Sequence, residues 1–307
     1  MVKRTPAKSG EIDLVSRIRR WAGRVPASPM AQGIGDDCAV YRPRGSPQDL
    51  LFTTDLLLED VHFRRDTHRP GDVGWKCLAR GLSDIAAMGG EPRFCLVSLA
   101  VPAWADRRWV EGFYRGLLSL ARRANTALAG GDLARSEKAA CDIVVCGAVP
   151  RGRALRRSGA RAGNAIYVSG ALGGSALGLH RGFGKAWERQ LRPEPRLALG
   201  RFLRQEARAT AAMDLSDGLS LDLLRLCQAS GLKAEIEIPP IYPGATLDQA
   251  LHGGEDYELL FTVSPRTDVP MEFEGLPLTR IGAMRRGRVG VEFCGRPLEA
   301  LGWDHFA

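Results

Sequence analysis

Aspartates recur at one kind of position in this chain, directly after a short apolar segment or a glycine pair. Five such motifs carry seven carboxylates: Asp36 and Asp37 in GIGDD, Asp55 in TTD, Asp84 in LSD, Asp132 in GGD, and Asp214 and Asp217 in DLSDG. Thr53, Thr54 and Ser216 add hydroxyl groups beside them. One aspartate after glycine is ordinary turn chemistry. Five such motifs favour a site for phosphate groups and a hard divalent cation, because Mg²⁺ takes oxygen ligands.

Four further residues are candidates, and three of them have two interpretations. His62 could hydrogen-bond a ligand, although a single histidine is more often structural. Arg157 lies in the acid-free run 151–161, which suits a solvated basic loop as well as a phosphate clamp. Glu255 follows Gly253-Gly254 and repeats the glycine-pair-then-acid arrangement. Trp303, near the end of the chain, is either a domain-closing residue or a stacking surface for an aromatic ligand.

Several familiar phosphate-handling and hydrolytic motifs are absent from the sequence. Gly184-Lys185 has Leu179 where a Walker A loop needs its first glycine, and Ala186 where it needs Ser or Thr. The chain contains no HRDxxxxN, GxSxG or HExxH sequence. A covalent nucleophile is therefore not indicated by any motif.

The charge balance raises a different class of function. The 307 residues contain 43 Lys and Arg against 35 Asp and Glu, a net charge of +8. A basic protein suits nucleic acid, but these cations lie in the N-terminal tail and in loops and do not interleave with aromatics along one element. Only six of them are lysines, so an arginine-rich composition explains the excess equally well. We therefore expect no nucleic-acid partner.

Hydropathy and cysteine usage predict where the protein works. No apolar run reaches the roughly 18 residues of a membrane span, and no apolar segment follows the basic start as in a secretory signal. The seven cysteines form no CxxC pair, and most lie among apolar residues. We expect reduced, mostly buried thiols, no membrane partner and a cytoplasmic location.

The elements that position these residues do not alternate strictly between strand and helix. Helical spacing covers residues 11–21, where Ser9 is a candidate cap, and also 73–88, 106–124 and 219–230. Short apolar strands precede most of the aspartates. This mixture favours an α+β fold. Pro150, before an irregular basic stretch, marks a boundary, so we expect domains at 1–150 and 151–307.

Together these motifs resemble those of the thiamine-monophosphate kinase family. GDD, TTD, LSD and GGD are shared with its wider superfamily, that of aminoimidazole-ribonucleotide synthetase, whereas DLSDG, GGEDYEL and the C-terminal GWDHF are more specific. The resemblance covers residues 11–306. It implies Mg²⁺- and ATP-dependent phosphorylation of thiamine monophosphate to thiamine diphosphate by direct in-line transfer. The alternative is another ATP-using member of the superfamily with a different amide or phosphorylated substrate.

The resemblance also implies roles for individual residues. Metal ligands would be Asp37, Thr53, Thr54, Asp55, Asp84, Asp132, Asp214 and Asp217, with Asp36 adjacent. ATP would contact Tyr114, Gly131, Asp132, Arg157 and Ser216, and thiamine monophosphate would contact His62, Glu255 and Trp303. The implied architecture is the two-domain aminoimidazole-ribonucleotide synthetase-like fold. Its N-terminal domain pairs across a homodimer, and its C-terminal α+β domain closes the active-site cleft.

Overall fold

The computed structural model describes residues 10–23 and 30–305, and in these ranges the chain forms two mixed sheets. The strands of the first sheet are β1 Met30–Gln32, β2 Ala39–Tyr41, β3 Gln48–Leu58, β4 Glu91–Val101, β5 Ala127–Arg135 and β6 Ala140–Pro150. Those of the second sheet are β7 Ala165–Ser169, β8 Ala211–Asp214, β9 Lys233–Ile236, β10 Leu259–Val263, β11 Glu272–Phe273, β12 Leu276–Arg285, β13 Gly290–Phe293 and β14 Arg296–Pro297.

Helices cover one face of the first sheet and surround the second. They are α1 Glu11–Ala22, α2 Pro70–Ala87, α3 Arg107–Arg123, α4 Gly174–Arg181, α5 Gly184–Leu191, α6 Leu197–Gln205, α7 Leu219–Ser230 and α8 Leu247–His252. A 3₁₀ turn spans Arg157–Gly159. The predicted α+β class is confirmed, since helices and strands mix without a regular βα alternation.

The first sheet has the order β1-β2-β3-β6-β4-β5. Its centre is the long antiparallel pair of β3 and β6, which stay in register from Gln48 opposite Pro150 to Leu58 opposite Ala140. The β4–β5 pair is parallel. Alternate residues of β3, among them Leu51, Thr53 and Leu57, are buried. One face of this sheet therefore lies on α2, while the opposite face carries the alternate side chains.

The second sheet has the order β14-β13-β9-β12-β7-β10-β8, and β11 pairs with β12. β10 is buried at all five positions between β7 and β8. α7 packs on β13, β8 and β9. The first sheet ends at Pro150 and the second begins at Ala165. The domain limits 1–150 and 151–307 stay a prediction.

Helix α2 joins the two halves of the molecule. Val73 to Ile85 contribute to the core between the first sheet and α3, whereas Ala86 and Ala87 belong to a core with α6 and β10. Both contacts need small residues. A Cβ at Gly116 of α3 would lie 1.8 Å from the Gly71 oxygen, and one at Gly200 of α6 would lie 2.1 Å from the Ala86 oxygen. The glycines allow backbones to approach closely.

Several element boundaries differ from the sequence expectation. α2 begins at Pro70, three residues before the predicted start, because proline suits the first helical turn. The strand predicted around TTD extends to eleven residues, since β6 pairs with it throughout. α8 was not predicted, although Thr246 and Gln249 form a capping box at its start. Ser9, the expected cap of α1, lies outside the described residues.

The cysteine prediction is confirmed. All seven cysteines carry free thiols; six are buried and Cys294 is exposed. Across 10–23 and 30–305, no helix has the length and apolar character required to cross a membrane.

We predict that Gly116→Ala destabilises the fold. In an open helix this change would stabilise by up to about 1 kcal/mol, but here the new methyl group meets the Gly71 carbonyl. Overpacking of this kind costs about 1–3 kcal/mol, measurable by urea unfolding. Gly33→Ala is the control, because its Cβ meets nothing within 4 Å. Equal stability of Gly116→Ala and wild type would contradict the close α2–α3 contact.

Candidate functional site

Three aspartates converge where the two halves of the chain meet. Asp37 precedes β2, Asp84 lies on α2 and Asp214 ends β8. One carboxylate oxygen from each lies within 4.8 Å of the others. Asp37 and Asp214 are buried, and Asp84 is half-buried. We call these three residues the acid cluster.

Hydroxyl groups hold two of the three carboxylates. Thr53 Oγ1 donates to Asp84 Oδ2 at 2.5 Å, linking β3 to α2. Ser83 Oγ donates to Asp214 Oδ2 at 2.6 Å, linking α2 to the second sheet. Ser83 is fully buried. The two bonds fix the acids without neutralising their charge.

Arg157 supplies a cation at the edge of the acid cluster. Its guanidinium donates to Asp37 Oδ1 from both Nε and NH2. Its backbone N–H donates to Asp36 Oδ1 at 3.2 Å, and Asp36 Oδ1 also accepts the Asp37 N–H. Ser230 Oγ donates to the Arg157 carbonyl at 2.7 Å. Asp37 Oδ2 is buried and has no hydrogen-bond partner among the described residues.

Burial and mutual repulsion raise the proton affinity of these acids. Burial first, and then Asp214 and Asp37, raise the pKa of Asp84 well above its usual range. Burial and Asp37 raise the pKa of Asp214 in the same way. Burial and Asp37 raise the pKa of Asp36 to about 7. Concentrated negative charge in a poorly hydrated place favours either protons or a bound cation.

The DLSDG turn after β8 lies beside the acid cluster. Asp222 Oδ2 accepts the N–H groups of Asp217 and Gly218 at 3.0 and 3.1 Å, which closes the turn. Arg225 pairs with both Asp217 and Asp222. The Asp217 carbonyl accepts the Trp303 N–H at 2.9 Å. Asp217 thus connects the turn to the C-terminal segment.

The GGEDYEL segment presents Glu255 in a strained backbone conformation. Glu255 and Tyr257 have φ of 65° and 51°, in the left-handed region that most side chains avoid. The Glu255 N–H donates to the Ser216 carbonyl at 2.7 Å, and the Tyr257 N–H donates to Leu215 at 2.9 Å. This segment therefore packs directly against the DLSDG turn and brings Ser216 next to Glu255.

Buried acids anchor the same segment on the C-terminal side of Glu255. Asp256 accepts the N–H groups of Gly173 and Ser175 at 2.5 and 3.0 Å, so it caps α4 from a distant part of the chain. Glu258 is fully buried and accepts two hydrogen bonds from the Arg196 guanidinium. These contacts hold the strained conformation in place.

Two cations of α2 face this region. Lys76 Nζ lies 2.7 Å from Glu255 Oε1, and Arg80 NH2 lies 2.5 Å from Asp55 Oδ1. Arg80 also donates to the Leu56 carbonyl at 3.2 Å. Burial raises the pKa of Asp55 although Arg80 opposes it. Asp55 is therefore paired with Arg80 and is not one of the three residues of the acid cluster.

His62 and Trp303 lie on the same side as Glu255. His62 Nδ1 accepts the Leu58 N–H at 3.0 Å, so Nε2 carries the proton. Burial lowers the His62 pKa to about 3, which keeps the ring neutral. His305 bridges the two residues, with ring centroids 5.3 Å from His62 and 5.7 Å from Trp303. Trp303 is 53% exposed, which favours a stacking surface over a domain-closing residue.

The C-terminal segment also holds the first helix. Both carboxylate oxygens of Asp304 accept the Glu11 N–H at 3.2 Å. The cap residue Gly10 offers no side chain for this purpose. Negative charge at a helix N-terminus is favourable, because the first N–H groups lack partners within the helix. Asp304 therefore connects α1 to the segment that carries Trp303.

Two predicted site residues, Thr54 and Asp132, lie on the opposite face of the first sheet, and a third, Gly131, is next to Asp132 in the chain. Thr54 Oγ1 donates to Asp142 at 2.6 Å, on the face away from α2. Asp132 is aligned with Ser98, which is aligned with Asp142, so it shares that face. Gly131 is on β5 as well, at the edge of the sheet. β5 is three strands from β3, or about 14 Å along the sheet. The single chain does not bring Asp132 and Gly131 to the acid cluster.

Tyr114, the remaining predicted nucleotide contact, lies on α3. It packs against the core of the first half, and its ring is 5.3 Å from that of Phe113. Burial raises its pKa. This environment is that of a packing residue.

The sequence motifs missed three residues of the site, Lys76, Arg80 and Ser83. Lys76, Arg80 and Asp84 are spaced four apart on α2 and share a helical face with Ser83 beside it. LSD drew attention to Asp84 alone. Reading four and eight residues back from Asp84 along the predicted helix would have identified both cations, Arg80 and Lys76.

The arrangement fits a hard divalent cation. The acid cluster offers several oxygen donors and one buried oxygen without a partner. A divalent ion would offset the repulsion that raises the pKa values. Next to the acid cluster, Arg157 suits a phosphate group, and Glu255 with Trp303 suits a cationic aromatic ring. The acid cluster, the Arg157 cation and the Glu255–Trp303 region therefore offer three different kinds of binding group in one place.

Comparison with known proteins identifies the family. The model described as "AIR synthase related protein, N-terminal domain" matches residues 35–151, and the corresponding C-terminal model matches 161–291. Thiamine-monophosphate kinase of Salmonella typhimurium is 37% identical, over 97% of this chain and 98% of the relative. The Bacillus subtilis enzyme is 34% identical over 96% and 99%.

Solved structures agree with the sequence comparison. The structure described as "AaThiL complexed with AMPPCP and TMP" is similar with a TM-score of 0.87 and 34% identity, over 97% of each chain. Thiamine-monophosphate kinase from Stenotrophomonas maltophilia gives 0.77 and 36% over 94% and 98%. The hydrogenase maturation protein HypE in complex with ATP, at 19% identity and 0.67, shares the fold. The chain belongs to the thiamine-monophosphate kinase family, built from the two domains of AIR synthase related proteins.

Proposed function

We propose that this protein phosphorylates thiamine monophosphate to thiamine diphosphate with ATP. The observation that carries the proposal is its similarity, over 97% of both chains, to a structure described as complexed with AMPPCP and TMP. The site supports it, because Arg157, the acid cluster and Glu255 with Trp303 lie together where such substrates would meet. The reaction is ATP-dependent phosphoryl transfer to a phosphate acceptor.

Direct in-line transfer fits the side chains of this chain. The acceptor is a phosphate oxygen, which is already anionic at neutral pH and needs no strong base. His62 is a neutral donor, and burial together with Asp84 and Asp37 keeps the nearby Cys38 thiol protonated by raising its pKa. Neither residue is suited to act as a covalent nucleophile. The work of the protein is positioning and charge neutralisation.

We propose that the cation of this site is Mg²⁺. Asp37, Asp84 and Asp214 would hold it, with Asp36 and Asp217 close by and Thr53 fixing Asp84. When bound, Mg²⁺ neutralises developing charge on the phosphates. Asp55, now paired with Arg80, is a further candidate ligand. Several ions fit the number of carboxylates.

The two substrates would then contact different residues of the site. Arg157 and Ser216 would contact ATP, and His62, Glu255 and Trp303 would contact thiamine monophosphate. The His62 Nε2 proton can be donated to a phosphate or hydroxyl oxygen. The Glu255 carboxylate and the exposed Trp303 ring both favour a positively charged heterocycle.

We also propose a homodimer formed through the uncovered face of the first sheet. Leu56 and Leu96 on that face are 49% and 37% exposed, and Phe52, Phe94 and Val144 share it with them. No described element covers these residues. Pairing two such faces would bury them, and it would bring Asp132 of one chain towards the other chain. This accounts for the position of Asp132 and Gly131 away from the acid cluster.

The function is tested by direct turnover. Purified protein with ATP, thiamine monophosphate and Mg²⁺ is expected to yield thiamine diphosphate and ADP, both measured by chromatography. Thiamine and aminoimidazole ribonucleotide serve as control acceptors, and we expect far slower or no ADP release with either. ADP release with a control acceptor but not with thiamine monophosphate would contradict the proposal.

Asp84→Asn tests the cation site. We expect turnover to fall on the order of 100-fold, since one metal charge is removed. The raised pKa values of Asp84 and Asp214 mean that the metal-free fold is stabilised by protons at low pH and loses this stability as pH rises. Wild-type Tm without Mg²⁺ should therefore fall from pH 5 to pH 8.

Asp84→Asn should lower turnover but raise the stability of the metal-free protein. At pH 8 without metal, Asp84→Asn should melt higher than wild type because one repulsive charge is gone. Mg²⁺ should raise the wild-type Tm by several degrees, as about 1 kcal/mol corresponds to about 2–4 °C in a chain of this size class. An equal Mg²⁺-induced shift in the variant would refute the assignment. Asp248→Asn, at an exposed position of α8, is the matched control.

Leu96→Asp tests the dimer. Light scattering should give twice 33.4 kDa for wild type and 33.4 kDa for the variant, because a buried unpaired charge disrupts an apolar interface. Leu179→Asp, at an exposed leucine of α4, should keep the wild-type mass. A wild-type mass of one chain would contradict the proposed pairing.

A further inference from the structure

Lys76 is among the largest fully buried side chains of the described residues, with 0% exposure. Lysine is rarely fully buried unless it is paired, because removing an ammonium group from water is costly. Here Nζ lies 2.7 Å from Glu255 Oε1 and donates to the His62 carbonyl at 3.2 Å. One ammonium group thus bridges two segments that are almost 200 residues apart and that both carry substrate-contact candidates.

Glu255 is held at its other oxygen as well. Gln190 Nε2 donates to Glu255 Oε2 at 3.1 Å, and Gln190 is 2% exposed. The Glu255 backbone is in the left-handed region and cannot relax without releasing the Ser216 contact. A quarter of the Glu255 side chain stays exposed. The carboxylate is therefore fixed in orientation, while part of the side chain remains exposed.

The charge of the pair also fits this arrangement. Burial alone would raise the Glu255 pKa, but Lys76 and then Arg80 bring it below its usual range, so the carboxylate stays ionised. Burial lowers the Lys76 pKa, and Glu255 offsets part of that change. A buried ion pair is weak evidence for stability, since apolar residues of similar size often serve as well. A role beside the substrate accounts for it better.

We propose that Lys76 is a positioning residue for thiamine monophosphate, which orients Glu255 and joins it to the His62 segment. The inference rests on the proposed function and adds a residue that itself does not contact the reacting atoms. It predicts a defect confined to one substrate. Loss of Lys76 should leave ATP binding unchanged, because Arg157 and the acid cluster are held by hydrogen bonds that do not involve Lys76.

Lys76→Met is the main variant. We expect KM for thiamine monophosphate to rise about 10-fold or more, in the range typical of residues that orient a binding group. KM for ATP should change less than about twofold. The matched control is Lys185→Met, at an exposed lysine of α5, which should leave both KM values unchanged. A merely structural role would lower the folded fraction and leave each KM as in wild type.

A double-mutant cycle separates action through Glu255 from an independent effect. If Lys76 acts through Glu255, adding Lys76→Met to Glu255→Gln should change KM for thiamine monophosphate less than about twofold. Effects of the two substitutions that multiply would overturn the proposal. Unchanged KM for thiamine monophosphate in folded Lys76→Met, or equal rises for both substrates, would also overturn it.

Gln190→Leu covers the case in which Lys76→Met does not fold. It removes the other support of Glu255 and should raise KM for thiamine monophosphate several-fold with KM for ATP unchanged; no selective rise would overturn the proposal. Wild type in the same assay separates the two claims. Absent wild-type turnover would remove the proposed function together with this inference, whereas normal turnover with unselective variants would remove this inference alone.

Discussion

The site depends on the mutual repulsion of three carboxylates. At 4.8 Å, two ionised groups repel by about 3.5 kcal/mol with an effective dielectric constant of 20. Asp37, Asp84 and Asp214 come from three separate parts of the chain, which are the loop before β2, helix α2 and the end of β8. Thr53 and Ser83 orient the acids by hydrogen bonds, and Arg157 offsets part of their charge. The surrounding fold can be understood as the support for this cluster.

Helix α2 connects the elements that hold the acid cluster. It contributes to the cores of both halves and carries residues of both signs on one face, Lys76 and Arg80 beside Ser83 and Asp84. A rigid helix shared by two cores fixes the distance between the acid cluster and the Glu255 region. The relative position of two substrates can therefore be set by packing of a single helix, without any loop between them.

Much of this could be predicted from sequence, for physical reasons that differ between residues. The aspartates follow strands or glycine pairs, a local pattern, and their family motifs identify the fold as α+β with two AIR synthase related domains. The partners of these acids are not local. Nothing near Asp55 predicts Arg80, and Lys76 pairs with a residue 179 positions away. Nor does GGD reveal that Asp132 occupies the opposite face of the sheet, because that depends on register across three strands.

The contact between Asp304 and α1 has a consequence during synthesis. The two partners are separated by 293 positions, so α1 leaves the ribosome long before its anchor does. Until then Val15, Ile18 and Trp21, which are exposed even in the finished fold, have no tertiary attachment through Asp304. Translation of the segment around Asp304 therefore both completes the α1 contact and adds Trp303 to the site. A chain that stops before this segment would lack both Trp303 and the Asp304 contact of α1.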